Sequence, residues 1–253
     1  ERPLSFAGND IPGVMLAAAV RDYVVNYGVS PGDRTVIVTN NDDAYRTAIV
    51  LKDAGLDIPL IIDARPKGGG ILMDQAIAAG IRVETGRGIA KVKGGKRVTG
   101  VSICSQAGEG AELEEISCDV VAMSGGWSPV VHLWSHCGGK LFWDSSKAMF
   151  CPDPKHPPLG VDGEGMVRVV GVANGHLGSA AVLIDANEQG SVAAVAAGGK
   201  TKKLKAAHCN NSVEFPILPV WLMPQGANYG LRSKSWLDFQ NDVKVIDVQL
   251  AAQ

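Results

Sequence analysis

The chain has 253 residues, 46 % hydrophobic and 20 % charged, enough to build one large domain or two small ones and to exclude global disorder. Its 24 basic and 26 acidic residues sum to −2, and no basic stripe interleaves with aromatics, which argues against nucleic acid as a partner. No apolar run approaches the roughly 18–20 residues that span a bilayer, so no membrane association is expected. The five cysteines are scattered without a Cys-x-x-Cys, which reads as reduced thiols in a cytoplasmic setting. The chain opens on Glu1 rather than Met and reads as a piece of a longer one.

Leu16 to Tyr27 carries apolar residues at helical spacing, and Gly28 is its stop. Pro31-Gly32-Asp33 predicts a turn. Arg34 to Thr39 is a short β-branched run, as in a buried parallel strand. Asp42 to Ala54 predicts a helix closed by Gly55, and Pro59 to Ala64 the next strand, which completes a βαβ unit. A helix over Gly70 to Ala79 leads to an extended run at Ile81 to Thr85. Gly88 to Lys93 and Lys96 to Cys104 alternate apolar and polar residues about Gly94-Gly95, the pattern of an antiparallel hairpin. After a polar loop at Gln106–Ala111, Ser117 to Met123 reads as another buried strand.

Lys147 to Pro158 has no clear period. Met166 to Val170 predicts a strand, Gly171 to Gly175 a glycine turn, and Leu177 to about Ala197 a long helix. Lys200 to Asn211 is polar and basic, as in a surface linker. Phe215 to Pro224 holds three prolines and is expected to be extended without entering a central strand. Trp236 to Val243 and Val245 to Ala252 predict a strand and a helix. The alternation of strands, glycine turns and helices specifies an α/β, Rossmann-like dinucleotide-binding fold.

Two strand-to-helix turns compete as a nucleotide site. Thr39 to Tyr45 stands where the glycine fingerprint of such folds belongs, but it contains no glycine. Asp63 follows Asn40 by 23 residues, near the usual place of a ribose-binding acid. Asp42 and Asp43 are expected to cap the following helix and repel phosphate from it, and Arg65 either pairs with Asp63 or reads a 2′-phosphate. The second turn, Gly171-Val172-Ala173-Asn174-Gly175-His176-Leu177-Gly178-Ser179, has three glycines by Gly178 and no acid at the helix start. Its helix N-terminus can face an anion; alternatively, the glycines serve only close packing. His132, His136 and Cys137 share helical spacing but lack a fourth ligand, and packing is the better reading. No nucleophile elbow, P-loop or His-Glu-x-x-His is present, so hydrolase and kinase chemistry have no basis and no catalytic side chain or metal site is assigned.

Five segments resemble one family in the right order: Arg2 to Leu16, Thr39 to Arg46, Ser124 to His132, Gly138 to Asp144 and Phe239 to Val243. They are similar to the α subunits of heterotetrameric sarcosine oxidase. Opine oxidase and hydrogen cyanide synthase subunits share the first few segments, whereas Pro216 to Leu222 followed by Asp238 to Val243 suits the sarcosine oxidase type better. The resemblance implies a disulfide-reductase-type architecture of two interleaved domains. Residues 1–33 and 119–199 would form an incomplete first dinucleotide domain, 34–118 an inserted second one, and 200–253 a linker and the start of another. It further implies NAD in this subunit, contacted by Gly171, Val172, Ala173, Asn174, Leu177 and Ser179. FAD and covalent FMN would lie on or near a β subunit, and tetrahydrofolate in a following region.

The implied partners are β, γ and δ subunits, and the implied reaction is oxidation of sarcosine to glycine with O2. A scaffold module with vestigial nucleotide sites is the alternative, and a free-standing NADP-dependent reductase using Asp63 and Arg65 a third. A sheet lacking its opening strand is expected to self-associate or to leave residues 1–15 loosely held.

Overall fold

The computed structural model describes residues 1–163, 165, 167–201, 209 and 216–253. The chain divides into two compact units, Glu1–Gly126 with Glu214–Gln253 and Trp127–Val213, here called unit 1 and unit 2.

Unit 1 begins with strand β1 (Val14–Leu16) and helix α1 (Ala17–Tyr27), then β2 (Thr35–Thr39), α2 (Asp43–Asp53), β3 (Ile61–Asp63), α3 (Ile71–Ala78) and β4 (Val83–Thr85). Strands β5 (Arg87–Gly94), β6 (Val98–Ser105), β7 (Glu114–Ser117) and β8 (Val120–Ser124) follow. Five of these strands form a parallel sheet in the order β1-β8-β2-β3-β4. Its central strands are buried on both faces, which is why Thr35–Thr39 and Val120–Ser124 read as unbroken apolar runs rather than alternations.

The predicted hairpin about Gly94-Gly95 is present, and β7 extends it to a three-stranded antiparallel sheet. One core layer combines Val36, Val38, Leu60 and Ile62 with Ile89, Val101, Ile103 and Met223; the other packs α1 and α2 through Val20, Tyr45, Ala48 and Leu51. Burying such side chains is worth about 1.5–3 kcal/mol each.

In the sheet, β1 and β2 both hydrogen-bond to β8. Val14–Leu16 and Glu114–Ser117 are strands that the sequence pattern left inside a loop or a neighbouring element; at three and four residues they are too short to show a period. Of the two expected outcomes for a sheet lacking its opening strand, loosely held residues 1–15 is not the one found: Leu4 and Phe6 are fully buried, and Asn9 Nδ2 donates to the carbonyls of Leu4 at 3.1 Å and Trp236 at 2.8 Å. Gly125 permits this, since a Cβ there would meet the Pro3 carbonyl at 2.5 Å.

The rest of unit 1 comes from the last forty residues. Pro216 to Pro224 runs without helix or strand, followed by a short hairpin of β11 (Trp236–Asp238) and β12 (Val243–Lys244) and by helix α6 (Val245–Ala251). Between them in sequence lies unit 2. It comprises α4 (His132–His136), β9 (Leu141–Asp144) paired antiparallel with β10 (Met149–Pro152), a 3-10 turn at Gly171–Asn174 and helix α5 (Ser179–Ala196). Val167–Val170, expected in a strand, has no regular structure, and Met166 lies outside the described residues. Most of the basic run Lys200–Asn211 and Phe215 lie outside them too. Among the described residues no helix is long and apolar enough to cross a membrane.

Candidate functional site

Of the two turns singled out by the sequence, the first joins strand β2 to α2, while the second leads into α5 from Val167–Val170, which form no strand. The first lies at the carboxyl ends of β2, β3 and β8, where the chain leaves β2 toward β3 on one side while β8 flanks it on the other. That switch in strand order opens a crevice in doubly wound sheets, the usual seat of a nucleotide. Here it is crossed by protein–protein hydrogen bonds. Asn40 donates its backbone N–H to the Ser124 carbonyl at 3.3 Å and its Nδ2 to the Gly125 carbonyl at 3.2 Å. Asn41 Nδ2 reaches Ser124 Oγ at 2.9 Å.

The expected capping by aspartates is corrected in detail. The acceptor for the Asp43 N–H is Asn41 Oδ1, at 3.1 Å, and Asp42, although at the N-cap position, makes no cap bond. Asp42 Oδ1 turns instead to Arg65 Nη2 at 2.7 Å, and Asp63 Oδ2 meets the same nitrogen at 2.7 Å. Asp63 Oδ1 also accepts the Arg65 Nε–H at 3.0 Å and its backbone N–H at 2.9 Å, and Tyr45 donates its hydroxyl to Asp63 Oδ2 at 2.8 Å.

All four side chains are buried. Burial alone would lower the Arg65 pKa, but hydrogen bonds and charge from Asp63, joined by Asp42, raise it above its ordinary value. Burial, with Asp63 beside it, raises that of Tyr45. The ribose-type acid is therefore saturated by its own neighbours. Asp43 is held between Arg21 Nη2 at 2.9 Å and Arg46 Nη1 at 3.2 Å.

The second turn, in unit 2, is built differently. Gly171 has φ 63° and Gly175 φ 84°, left-handed backbone that favours glycine. The turn is tied from behind by Asp185, a buried residue of α5 that sequence reasoning missed. Its Oδ2 accepts the Gly171 N–H at 2.7 Å, and its Oδ1 accepts the Asn174 Nδ2–H at 3.0 Å. The signal available was helix geometry: side chains lean toward the N-terminus, so a residue in the second turn of α5 reaches back to the loop ahead of it.

Of the candidate contacts, Gly171 and Asn174 are thus engaged by Asp185, Val172 and Ser179 are exposed, and Ala173 and Leu177 are half-buried. The first turn of α5 has no acidic residue, in contrast to α2 with Asp43; neither N-cap residue, Gly178 or Asp42, makes a side-chain cap bond.

The histidines of α4 stand with ring centroids 6.4 Å apart, and no cluster of three or more His, Cys, Asp or Glu among the described residues could hold a metal. Trp134 of that helix is buried and donates Nε1–H to the Lys140 carbonyl at 2.8 Å, which anchors α4 to the hairpin β9–β10. Cys104, Cys118, Cys137 and Cys151 are free thiols.

The parallel sheet, its crossover helices and the antiparallel sheet beside it define a Rossmann-like α/β fold. L-proline dehydrogenase from P. horikoshii has the same fold, with a TM-score of 0.56 at 17 % identity, over 80 % of this chain and 34 % of that one. No family model matches the chain. Sequence relatives are more specific. The chain is 35 % identical to the sarcosine oxidase subunit alpha of Rhizobium meliloti (strain 1021), over 100 % of its own length and 24 % of the relative's. It is also 35 % identical to that of Corynebacterium sp. (strain P-1), over 98 % and 25 %. The chain is related along its whole length to sarcosine oxidase alpha subunits and spans about a quarter of them.

Proposed function

We propose that this chain is the NAD-binding part of the alpha subunit of a heterotetrameric sarcosine oxidase, and that the turn Gly171–Ser179 contacts the dinucleotide. The observation that carries this reading is the contrast in charge at the two helix starts. The first turn of α5 carries no acidic residue, whereas α2 begins at Asp43, whose N–H is already bonded to Asn41 Oδ1. The positive dipole end of a helix whose first turn carries no acid favours an anion at α5.

NAD supplies a doubly charged pyrophosphate and a redox-active nicotinamide. This chain's residues would do the holding. Asp185 fixes the turn by taking the Gly171 N–H, so that the backbone need not reorder on binding. Val172 and Ser179, at the exposed rim, would meet the ligand. No side chain of this chain is assigned as acid, base or nucleophile.

In this reading sarcosine is oxidised to glycine with O2 at a flavin of the β subunit, with FAD and covalent FMN on or near that partner. The γ and δ subunits complete a cytoplasmic complex, and tetrahydrofolate belongs to a further region of the alpha subunit. Isothermal titration of the assembled enzyme with NAD tests the nucleotide role. Binding that weakens when Ser179 is replaced by Asp supports it, and absence of heat at millimolar NAD overturns it. The free-standing NADP-reductase alternative loses its support, since Asp63 and Arg65 are bonded to each other in a buried network. The Asn40 crevice favours the scaffold alternative for unit 1 alone.

A further inference from the structure

The crevice at the β2–β8 switch point contains a segment of the chain itself. Leu218 donates its backbone N–H to the Asn40 carbonyl at 3.2 Å, and Asn40 Nδ2 donates back to the Leu218 carbonyl at 2.8 Å. Asn40 is fully buried and therefore grips both polar groups of one residue 178 positions away. The flanking residues make this grip selective. Pro216 and Pro219 have no N–H, so the segment cannot continue as a paired strand along the sheet and offers Leu218 as an isolated donor and acceptor. Ile217 is 8 % exposed, Leu218 and Val220 pack against the core layer of Val36, Val38 and Ile62, and the prolines point to solvent. A backbone clamp with alternate side chains in apolar pockets is how proteins recognise extended peptides.

We propose that this crevice is a peptide-binding groove, with Asn40 reading the backbone of an extended, proline-flanked segment, and that Pro216–Val220 is its resident ligand in cis. A dinucleotide would need the same place at the ends of β2 and β8. The groove therefore has an occupant of another chemical class, which ties the last forty residues to the parallel sheet of unit 1. This inference stands whether or not the Gly171–Ser179 turn takes NAD, because that turn belongs to unit 2.

Hydrogen–deuterium exchange of the full chain, read by mass spectrometry, tests it. In Asn40→Asp, which replaces the two amide donors by an oxygen facing two carbonyls, exchange over residues 216–224 should rise about tenfold, with Val36–Val38 unchanged. Ile217→Ser attacks the segment from the other side without touching the sheet, and should raise exchange over the same residues. A fluorescent synthetic peptide of residues 216–224 should bind the Ile217→Ser chain at least tenfold more tightly than the parent, whose groove is filled. Added ADP-ribose should leave exchange over 216–224 unaltered in the parent. Unchanged exchange in both variants, equal peptide binding to both chains, or displacement of the segment by ADP-ribose would each overturn the proposal.

Discussion

The turns after β2 and before α5 are two answers to one question, namely what satisfies the start of a helix that follows an extended segment. After β2 the answer is internal and charged. Asn41 caps the helix, Asp43 is shared by Arg21 and Arg46, and Arg65 joins Asp42 to Asp63 in a buried network. Before α5 one buried carboxylate, Asp185, ties the loop, while the first turn of the helix carries no acid and its N-cap Gly178 no side chain. The lesson is that a strand-turn-helix topology does not by itself make an anion site. The charges already spent at the helix N-terminus decide it.

The largest test of this contrast is Arg65→Ala. It leaves two carboxylates buried without their cation, and breaking such a pair costs about 3–5 kcal/mol. Urea unfolding monitored by fluorescence should show unit 1 destabilised by that amount; a loss below 1 kcal/mol would mean the network is dispensable. Asp185→Ala is the counterpart in unit 2. It removes the acceptor of two hydrogen bonds and should destabilise that unit by about 2–3 kcal/mol, since bonds to charged groups are the stronger kind. Limited proteolysis should then cleave near Gly171–Gly175, while unit 1 stays intact.

Alkali separates the two regions through their thiols. Burial pushes the Cys104 thiol up to about 11 and, helped by Asp119, the Cys118 thiol up to about 12. Their unfolded values are near 8.5. A group whose folded pKa is raised contributes stability that is present below its unfolded pKa and lost as pH rises toward the folded one. Stability of unit 1 should therefore fall between roughly pH 8.5 and 12, by up to about 1.4 kcal/mol per pH unit for each thiol. In unit 2 burial raises the Cys151 thiol; with two such thiols in unit 1, a chemical denaturation series at rising pH should weaken unit 1 more. The smallest expected effect is that of Ser179→Asp. A carboxylate in the first turn of α5 should weaken NAD binding by about 1 kcal/mol, roughly fivefold, as read by calorimetry. An unaltered affinity would remove the charge argument that distinguishes the turns.

Much of unit 1 was legible from local pattern. The runs at Thr35–Thr39, Ile61–Asp63 and Val120–Ser124 are buried on both faces, and the hairpin alternates about two glycines, so the parallel sheet and its flap follow from residue type and period. What could not be read depends on contacts far apart in the chain. Val14–Leu16 is a strand only because Val121–Met123 lies beside it. The extended character of Pro216–Pro224 was evident from its prolines, but its seat on Asn40 was not, because no periodicity reports a partner 178 residues away.

The candidate site was split in the same way. The glycine turn and the acid-rich turn were both visible. The direction of each carboxylate was not, so Asp42 was expected on its own helix and is found on Arg65. Val167–Val170 reads as β-branched yet forms no strand, since propensity in four residues yields readily to its surroundings.

The placement of Leu218 on Asn40 also sets an order of events during synthesis. A ribosome that has completed β8 must still translate about ninety residues before Leu218 emerges, which takes on the order of ten seconds at typical elongation rates. Over that interval Asn40, at the carboxyl end of β2, stands without its Leu218 partner. The vulnerable species is therefore the unfinished polypeptide rather than the finished one.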